Sequence, residues 1–192
     1  MHATDAPSDW VCRWAGLIAP GSTVLDVACG TGRHLRWLRS RGHCVVGLDR
    51  SAQALAACAD LGEMICADIE AGPWPFAERQ SGPPGGAFPG RRFDAVVVTN
   101  YLWRPLLPVI VASVAPGGLL IYETFAQGQE TVGRPTRAEF LLRPGELLGA
   151  CAALRVLGYE DGFVPQPARF VQRIAALREN PQSGRPARHP LR

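Results

Sequence analysis

The sequence predicts an α/β protein: a mostly parallel β-sheet with helices on both faces and an antiparallel hairpin at its C-terminal end. Three observations predict it. Short runs rich in Val, Ile and Leu alternate with segments of helical spacing, the pattern of right-handed βαβ crossovers. The first run enters a glycine turn that opens a helix. The last two runs have no helix between them, so they must pair antiparallel.

The elements follow in chain order. Trp10, Trp14, Leu17 and Ile18 recur at helical spacing, and Pro20-Gly21 stops that helix. Residues 23–28 (TVLDVA) read as a buried strand, and 31–41 as a helix closed by Gly42. Residues 44–49 (CVVGLD) form a second strand, and Ser51 caps an Ala-rich helix to Asp60. Strands three and four cover 64–67 and 93–99, and a helix covers 106–115. Strand five is 119–125 (LLIYETF), and Pro144 suits the first turn of a helix through Ala153. Residues 154–164 and 169–176 are the final strands, turning at Pro165 and Pro167.

Composition limits the function. The 192 residues suit a single domain, placed at 1–180, and the net charge of +3 is too small to favour nucleic acid. All 20 basic residues are Arg, which excludes a Lys Schiff base or a P-loop Lys. The start has neither a basic n-region nor an apolar h-region. Residues 105–122 carry no charge, but three prolines and Gly117-Gly118 break them into helix, turn and strand rather than a membrane span. Six Cys show no zinc spacing, and Cys44 and Cys66 fall in apolar runs, so they read as free, buried thiols of a cytoplasmic protein; no metal is expected. Gly and Pro together make 38 residues, about 20%, and ten of them fall in 72–90. That marks 72–92 as an insertion that shortens or removes a helix, and 181–192 as a flexible Arg/Pro tail.

The chemistry gathers at strand ends. Gly30 and Gly32 let the backbone turn tightly beside a ligand. A dinucleotide turn would read G-x-G-x-x-G, but Leu35 holds the third position, and Asp26 at the mouth repels a pyrophosphate. Asp26 instead suits the ammonium of an amino-acid head. Asp49 ends strand two, 19 residues after Gly30, where ribose hydroxyls are gripped. Asp68, with Ile69 beside it, suits an adenine amino group and ring.

These segments (VLDVACGTGRH, VVGLDRS, ICADIE and FDAVVVTN) stand in the order and spacing of the class I S-adenosylmethionine-dependent methyltransferases, which the chain resembles over about residues 10–178. The resemblance implies a Rossmann-like, seven-stranded sheet ending in the hairpin. It implies S-adenosylmethionine as cofactor, with S-adenosylhomocysteine as product. The methionine end would lie in the turn Asp26, Ala28, Cys29, Gly30, Gly32, the ribose at Asp49 and Arg50, the adenine at Asp68 and Ile69, with Thr99 beside them. Within the class the chain is similar to small bacterial enzymes of the tellurite-resistance and thiopurine types. His34 reads as a helix-start residue near the cofactor ahead of a catalytic one, and Arg33, Arg36 and Arg39 as a solvated face ahead of an anion patch.

The acceptor side falls after strands four and five. Asn100, Tyr101 and Glu123 are the candidates for catalysis. Asn100-Tyr101 lacks the prolines of the Asn-Pro-Pro-Tyr turn of amino-group methyltransferases. Tyr101 and Trp103 either wall an acceptor pocket or join the core. Tyr122, Arg104 and Arg134 complete the substrate set, and Arg104, Arg134 and Arg143 either bind an oxyanion or stay structural. Glu123 is either a base or a cation binder, or else a carboxylate paired with Arg134 or Arg143. The long segment 126–142 reads as a lid. Three functions follow: methyl transfer to a small acceptor, anionic or soft in character; methyl transfer to RNA or protein, with Arg185, Arg188 and Arg192 on phosphates; or non-catalytic cofactor binding. Methyl displacement needs alignment of donor and acceptor and exclusion of water.

Overall fold

The computed structural model describes residues 6–77 and 90–180. Seven strands form one sheet: β1 (Thr23–Val27), β2 (Cys44–Asp49), β3 (Glu63–Cys66), β4 (Phe93–Thr99), β5 (Val114–Phe125), β6 (Arg155–Pro165) and β7 (Ala168–Leu177). Their order across the sheet is β3-β2-β1-β4-β5-β7-β6. The first five run parallel, and β7 is antiparallel to both β5 and β6. The order reverses between β1 and β4, so the carboxyl ends open a crevice there.

Each face carries its own core. On one face α1 (Asp9–Ala15), α2 (Arg33–Ser40) and α3 (Ala52–Ala56) pack Trp10, Trp14, Leu35, Leu38 and Leu55 on Val24, Val97 and Ile121. The Trp10 indole donates to the Ile174 carbonyl, fixing α1 over the hairpin side. Trp14 lies so close to β6 that a Cβ on Gly158 would meet its ring at 2.2 Å, so only glycine fits. On the other face α4 (Leu107–Ala112) and α5 (Glu146–Ala150) pack Leu107, Ile110 and Leu147 on Val96, Leu120 and Tyr122.

Several expected bounds move. β5 begins at Val114 rather than 119, because Ser113 ends α4 and Val114 already pairs with Phe93. A bulge between Phe93 and Ala95 absorbs the Pro116-Gly117-Gly118 turn. α3 closes at Ala56 instead of Asp60, with Ala57 as its cap. Cys44 and Cys66 are exposed, not buried: one opens β2 and the other ends the edge strand β3. All six cysteines are free. Of the stretch 72–92, residues 78–89 lie outside the described residues, as does the tail 181–192. The flanks carry no helix. Instead Trp74, Phe76 and Phe93 stack edge-on at 5.6 and 5.0 Å and cover that face of the sheet. No helix among the described residues is long and apolar enough to cross a membrane.

Candidate functional site

The turn after β1 is built from three residues in the left-handed region: Ala28 (φ 56), Gly30 (φ 55) and Gly32 (φ 81). A Cβ on Gly32 would lie 2.7 Å from the Cβ of Cys58, so a side chain there is blocked by both sterics and backbone. Ala28 accepts the unusual φ despite its methyl group, which costs on the order of 1 kcal/mol. The Cys29 thiol is buried and donates toward the Gly30 carbonyl; burial and the neighbouring Asp26 push its pKa up, so it is no thiolate.

Asp49 holds the turn from the side. Its carboxylate accepts from the Gly30 amide at 2.8 Å and from the Ser51 amide at 2.9 Å. Each oxygen keeps a further lone pair for an outside donor. Beside it runs a cleft of about 140 Å³, lined by Ala28, Leu48, Asp49, Asp68, Ile69 and Tyr101, with Arg50 and Glu70 at its rim. Asp68 Oδ1 accepts from the amides of Glu70 and Ala71, which orders the turn after β3. The half-buried Tyr101 reaches the same cleft; burial and the Glu70 carboxylate raise its phenol well above the ordinary value. The ribose and adenine candidates therefore share one cleft, and Tyr101 joins them.

Around the β1 end the polar groups are buried. Asp26 is 1% exposed, and neither of its carboxyl oxygens has a hydrogen-bond partner. His34 Nδ1 stands 3.8 Å away, too far for a hydrogen bond. Burial pushes Asp26 up to about 8; Arg33 opposes that and Asp49 adds to it. His34 is pushed down to about 3 by burial and by Arg33, so it is neutral. Its Nε2 accepts from the Ser8 amide, which assigns the ring proton to Nδ1. His34 is thus a helix-start residue that anchors the N-terminal segment. Arg33 is half-buried with its Nη2 3.5 Å from Thr99 Oγ1, and has no ion pair among the described residues. It leaves the solvated face expected for it, because α2 starts directly over the sheet edge. Arg36 is exposed, and Arg39 bonds the Leu61 carbonyl.

A charged row continues across the next strands. Thr99, Glu123, Arg173 and Glu160 are direct partners across β4, β5, β7 and β6. Glu123 is 1% exposed and pairs with Arg169 at 3.3 Å and Arg173 at 3.1 Å. The Ser8 hydroxyl donates to the same carboxylate at 3.1 Å. The expected partners, Arg134 and Arg143, are replaced by these two from β7, since register puts Arg173 directly opposite Glu123.

The acceptor candidates scatter. Asn100 is exposed, in the left-handed region (φ 54), and its amide donates to the Glu123 carbonyl. Tyr122 is buried in the core and donates to the Tyr101 carbonyl. Trp103 packs against the same core. Arg104 commits its fork to Glu146, at 2.7 and 2.9 Å, and to the Glu139 and Leu141 carbonyls. Burial would raise Glu146, but the Arg104 hydrogen bond, the Arg143 amide and both charges outweigh it and hold the carboxyl low. Arg104 therefore braces the segment 126–142. Arg134 is exposed; its carbonyl accepts from the buried Gln129. No group of three or more metal-ligating residues occurs among the described residues. Ser8, Arg169 and Arg173 escaped sequence reasoning as site residues. Ser8 shows one faint signal, an N-cap ahead of the helix at Trp10.

Comparison with known proteins now bears on this edge. Residues 24–118 match a family model described as a methyltransferase domain. A tRNA U34 carboxymethyltransferase of Klebsiella pneumoniae is 27% identical over 175 residues, spanning 84% of this chain. The chain spans about half the length of the curated relatives it matches, 50%. Among solved structures, TehB from Haemophilus influenzae superposes with a TM-score of 0.68 at 20% identity, over 92% of this chain and 64% of that one. The 1,6-didemethyltoxoflavin-N1-methyltransferase of Burkholderia thailandensis, with bound 1,6-didemethyltoxoflavin and S-adenosylhomocysteine, gives 0.62 at 15% identity, over 89% and 77%.

Proposed function

Because the chain carries a class I S-adenosylmethionine-dependent methyltransferase domain, we propose that it transfers a methyl group from that cofactor to a small-molecule acceptor. The observation that carries the proposal is the carboxyl edge itself. The strained turn, the Asp49 brace and the Asp68–Ile69 cleft meet where the strand order reverses. S-adenosylmethionine, when bound, supplies an electrophilic methyl on a sulfonium.

The residues fit that group. Asp26 holds two buried oxygens that lack donors, the provision expected for an ammonium. Arg33, with no ion pair among the described residues, acts on the charge of Asp26 and suits the carboxylate of the same amino-acid head. Asp49 has lone pairs left for ribose hydroxyls, and Arg50 lies at the rim of its cleft. Asp68 and Ile69 flank the place for an adenine, with Tyr101 closing the opposite side. Cys29 fills space under the turn. Thr99, held by Arg33, separates the amino-acid end from the acceptor side.

Glu123 works as an anchor rather than a base, since its carboxylate is engaged by two guanidinium groups and the Ser8 hydroxyl. The Ser8 bond to Glu123 ties the N-terminal segment to the end of β5 on the acceptor side. Calorimetric titration with S-adenosylhomocysteine tests the reading: micromolar binding is expected, and no binding sinks it. A second reading, methyl transfer to tRNA, is favoured by the name of the Klebsiella relative. Salt-sensitive tRNA binding at low ionic strength would support it. The reading carries a cytoplasmic location with it, supported by free thiols such as the exposed Cys44 and Cys66, which suit a reducing compartment.

A further inference from the structure

Three contacts fix Tyr101 just beyond the end of β4. Asn100 before it takes the left-handed region (φ 54), which turns the chain out of the strand. The Asn100 amide donates to the Glu123 carbonyl. The Tyr101 carbonyl accepts from the buried Tyr122 hydroxyl at 2.8 Å. A left-handed residue and a core tyrosine thus both act on the placement of one side chain. That side chain lines the cleft that also holds Asp68 and Ile69.

The Tyr101 hydroxyl is buried and has no hydrogen-bond partner. After burial, the Glu70 carboxylate does most to raise the phenol, by its charge and by its pull on the phenol proton. It makes no hydrogen bond of ordinary geometry with it, however. Asp68 adds to the rise, and Arg50 opposes it. These charges put the hydroxyl at the Asp68–Glu70 end of the cleft, the end given to adenine. The phenol keeps its proton at neutral pH and is therefore a donor. A buried hydroxyl without a partner is costly, and such a group usually marks a missing one.

Complementarity names the partner. Asp68 bonds the neighbouring amides through Oδ1, so Oδ2 and the Glu70 carboxylate can accept from a ligand. The adenine amine supplies such donors. A hydroxyl donor beside these carboxylates calls for an acceptor, and adenine carries a ring nitrogen on each side of its amine, N1 and N7. We propose that Tyr101 is a specificity residue for the cofactor, its hydroxyl donating to N1 or N7 of the adenine. The proposal rests on the methyltransferase reading above. It takes Tyr101 off the catalytic candidates, since adenine and sulfonium lie at opposite ends of the nucleoside.

The test compares S-adenosylhomocysteine with its 1-deaza, 7-deaza and 3-deaza analogues by calorimetry, on wild type and Tyr101→Phe. The variant keeps the ring and loses only the hydroxyl. It should bind S-adenosylhomocysteine and the 3-deaza analogue about fivefold more weakly than wild type does. With either the 1-deaza or the 7-deaza analogue that penalty should shrink to within about twofold, because the acceptor is gone. Free Tyr101→Phe should melt at the wild-type temperature or above it, since an apolar group of the same shape replaces an unpaired hydroxyl. Equal affinity of the two proteins for S-adenosylhomocysteine overturns the proposal, and so does a penalty that persists with both the 1-deaza and the 7-deaza analogue. A melting temperature lowered by more than about 2 °C overturns it too, since the hydroxyl would then have its partner inside the protein. No binding of S-adenosylhomocysteine by wild type would instead overturn the methyltransferase reading, so the two failures are distinct.

Discussion

On the β1–β3 side of the carboxyl edge, each group comes from the residue that ends its strand or from the turn after it. Gly30 reaches Asp49 across 19 positions, and Asp68 folds back on the amides two and three residues ahead. On the β5–β7 side the partners are remote. Ser8 meets Glu123 across 115 positions, and Arg169 meets it across 46. The first side is mostly backbone held by short turns. The second is a side-chain ion network that exists only once the sheet has closed. Substitutions on the first side should therefore cost ligand affinity, and those on the second should cost stability.

The sharpest test of that division is Glu123→Ala. It leaves Arg169 and Arg173 facing a buried gap without their carboxylate. Removing one partner of a buried pair costs about 3–5 kcal/mol. Denaturant unfolding should show that loss, while the folded fraction keeps its S-adenosylhomocysteine affinity. A stability change below about 1 kcal/mol would break the comparison, because the network would then be ornamental. Asp49→Ala is the mirror experiment. It removes charged-group hydrogen bonds worth about 1–3 kcal/mol, or about 5- to 150-fold in cofactor affinity by calorimetry. Unchanged affinity would refute the place given to Asp49.

The same division explains what could be read from the sequence. TVLDV and CVVGLD are buried on both sides and so appear as continuous apolar runs; the turn announces itself by Gly30 and Gly32 because few residues adopt φ above zero. Asp26, Asp49 and Asp68 stand at run ends and are legible as a set. Nothing local marks Arg169 or Arg173. Their importance comes from register, which sets Glu123 opposite Arg173, and register depends on the whole hairpin. Arg104 misled for the same reason: its partner Glu146 lies 42 residues away.

Asp26 gives a smaller effect with a definite sign. Its carboxyl is raised from 3.8 to about 8, chiefly by burial. Its contribution to stability is therefore full below about pH 4 and is lost as pH rises through about 8. Cofactor affinity should move the opposite way, since an ammonium prefers the ionised carboxylate. For a single ionisation near 8, affinity should rise about fivefold between pH 7 and 8. His34, held near 3, stays neutral throughout and adds nothing in that window. Calorimetry on Asp26→Asn, set against wild type, subtracts titration of the ligand itself. A slope that survives in Asp26→Asn would assign the pH dependence elsewhere.

Ser8 joins the two halves, and its removal should be the mildest change. The residue caps α1 by accepting from the Trp10 amide, donates its hydroxyl to Glu123 and gives its amide to His34. Ser8→Ala keeps the amide bond and loses both hydroxyl bonds. Loss of an N-cap alone costs about 1 kcal/mol. The bond to Glu123 adds to this only if the ion network needs it, and a double-mutant cycle with Glu123→Gln measures that part directly. A coupling of about 0.5 kcal/mol or more would mean that the N-terminal segment senses the acceptor side through one hydroxyl. Strict additivity would mean that Ser8 is a helix cap which merely lies near Glu123. α1 would then be tied to this half by the Trp10 bond to the Ile174 carbonyl and by the Arg13–Glu160 pair, and not by Ser8.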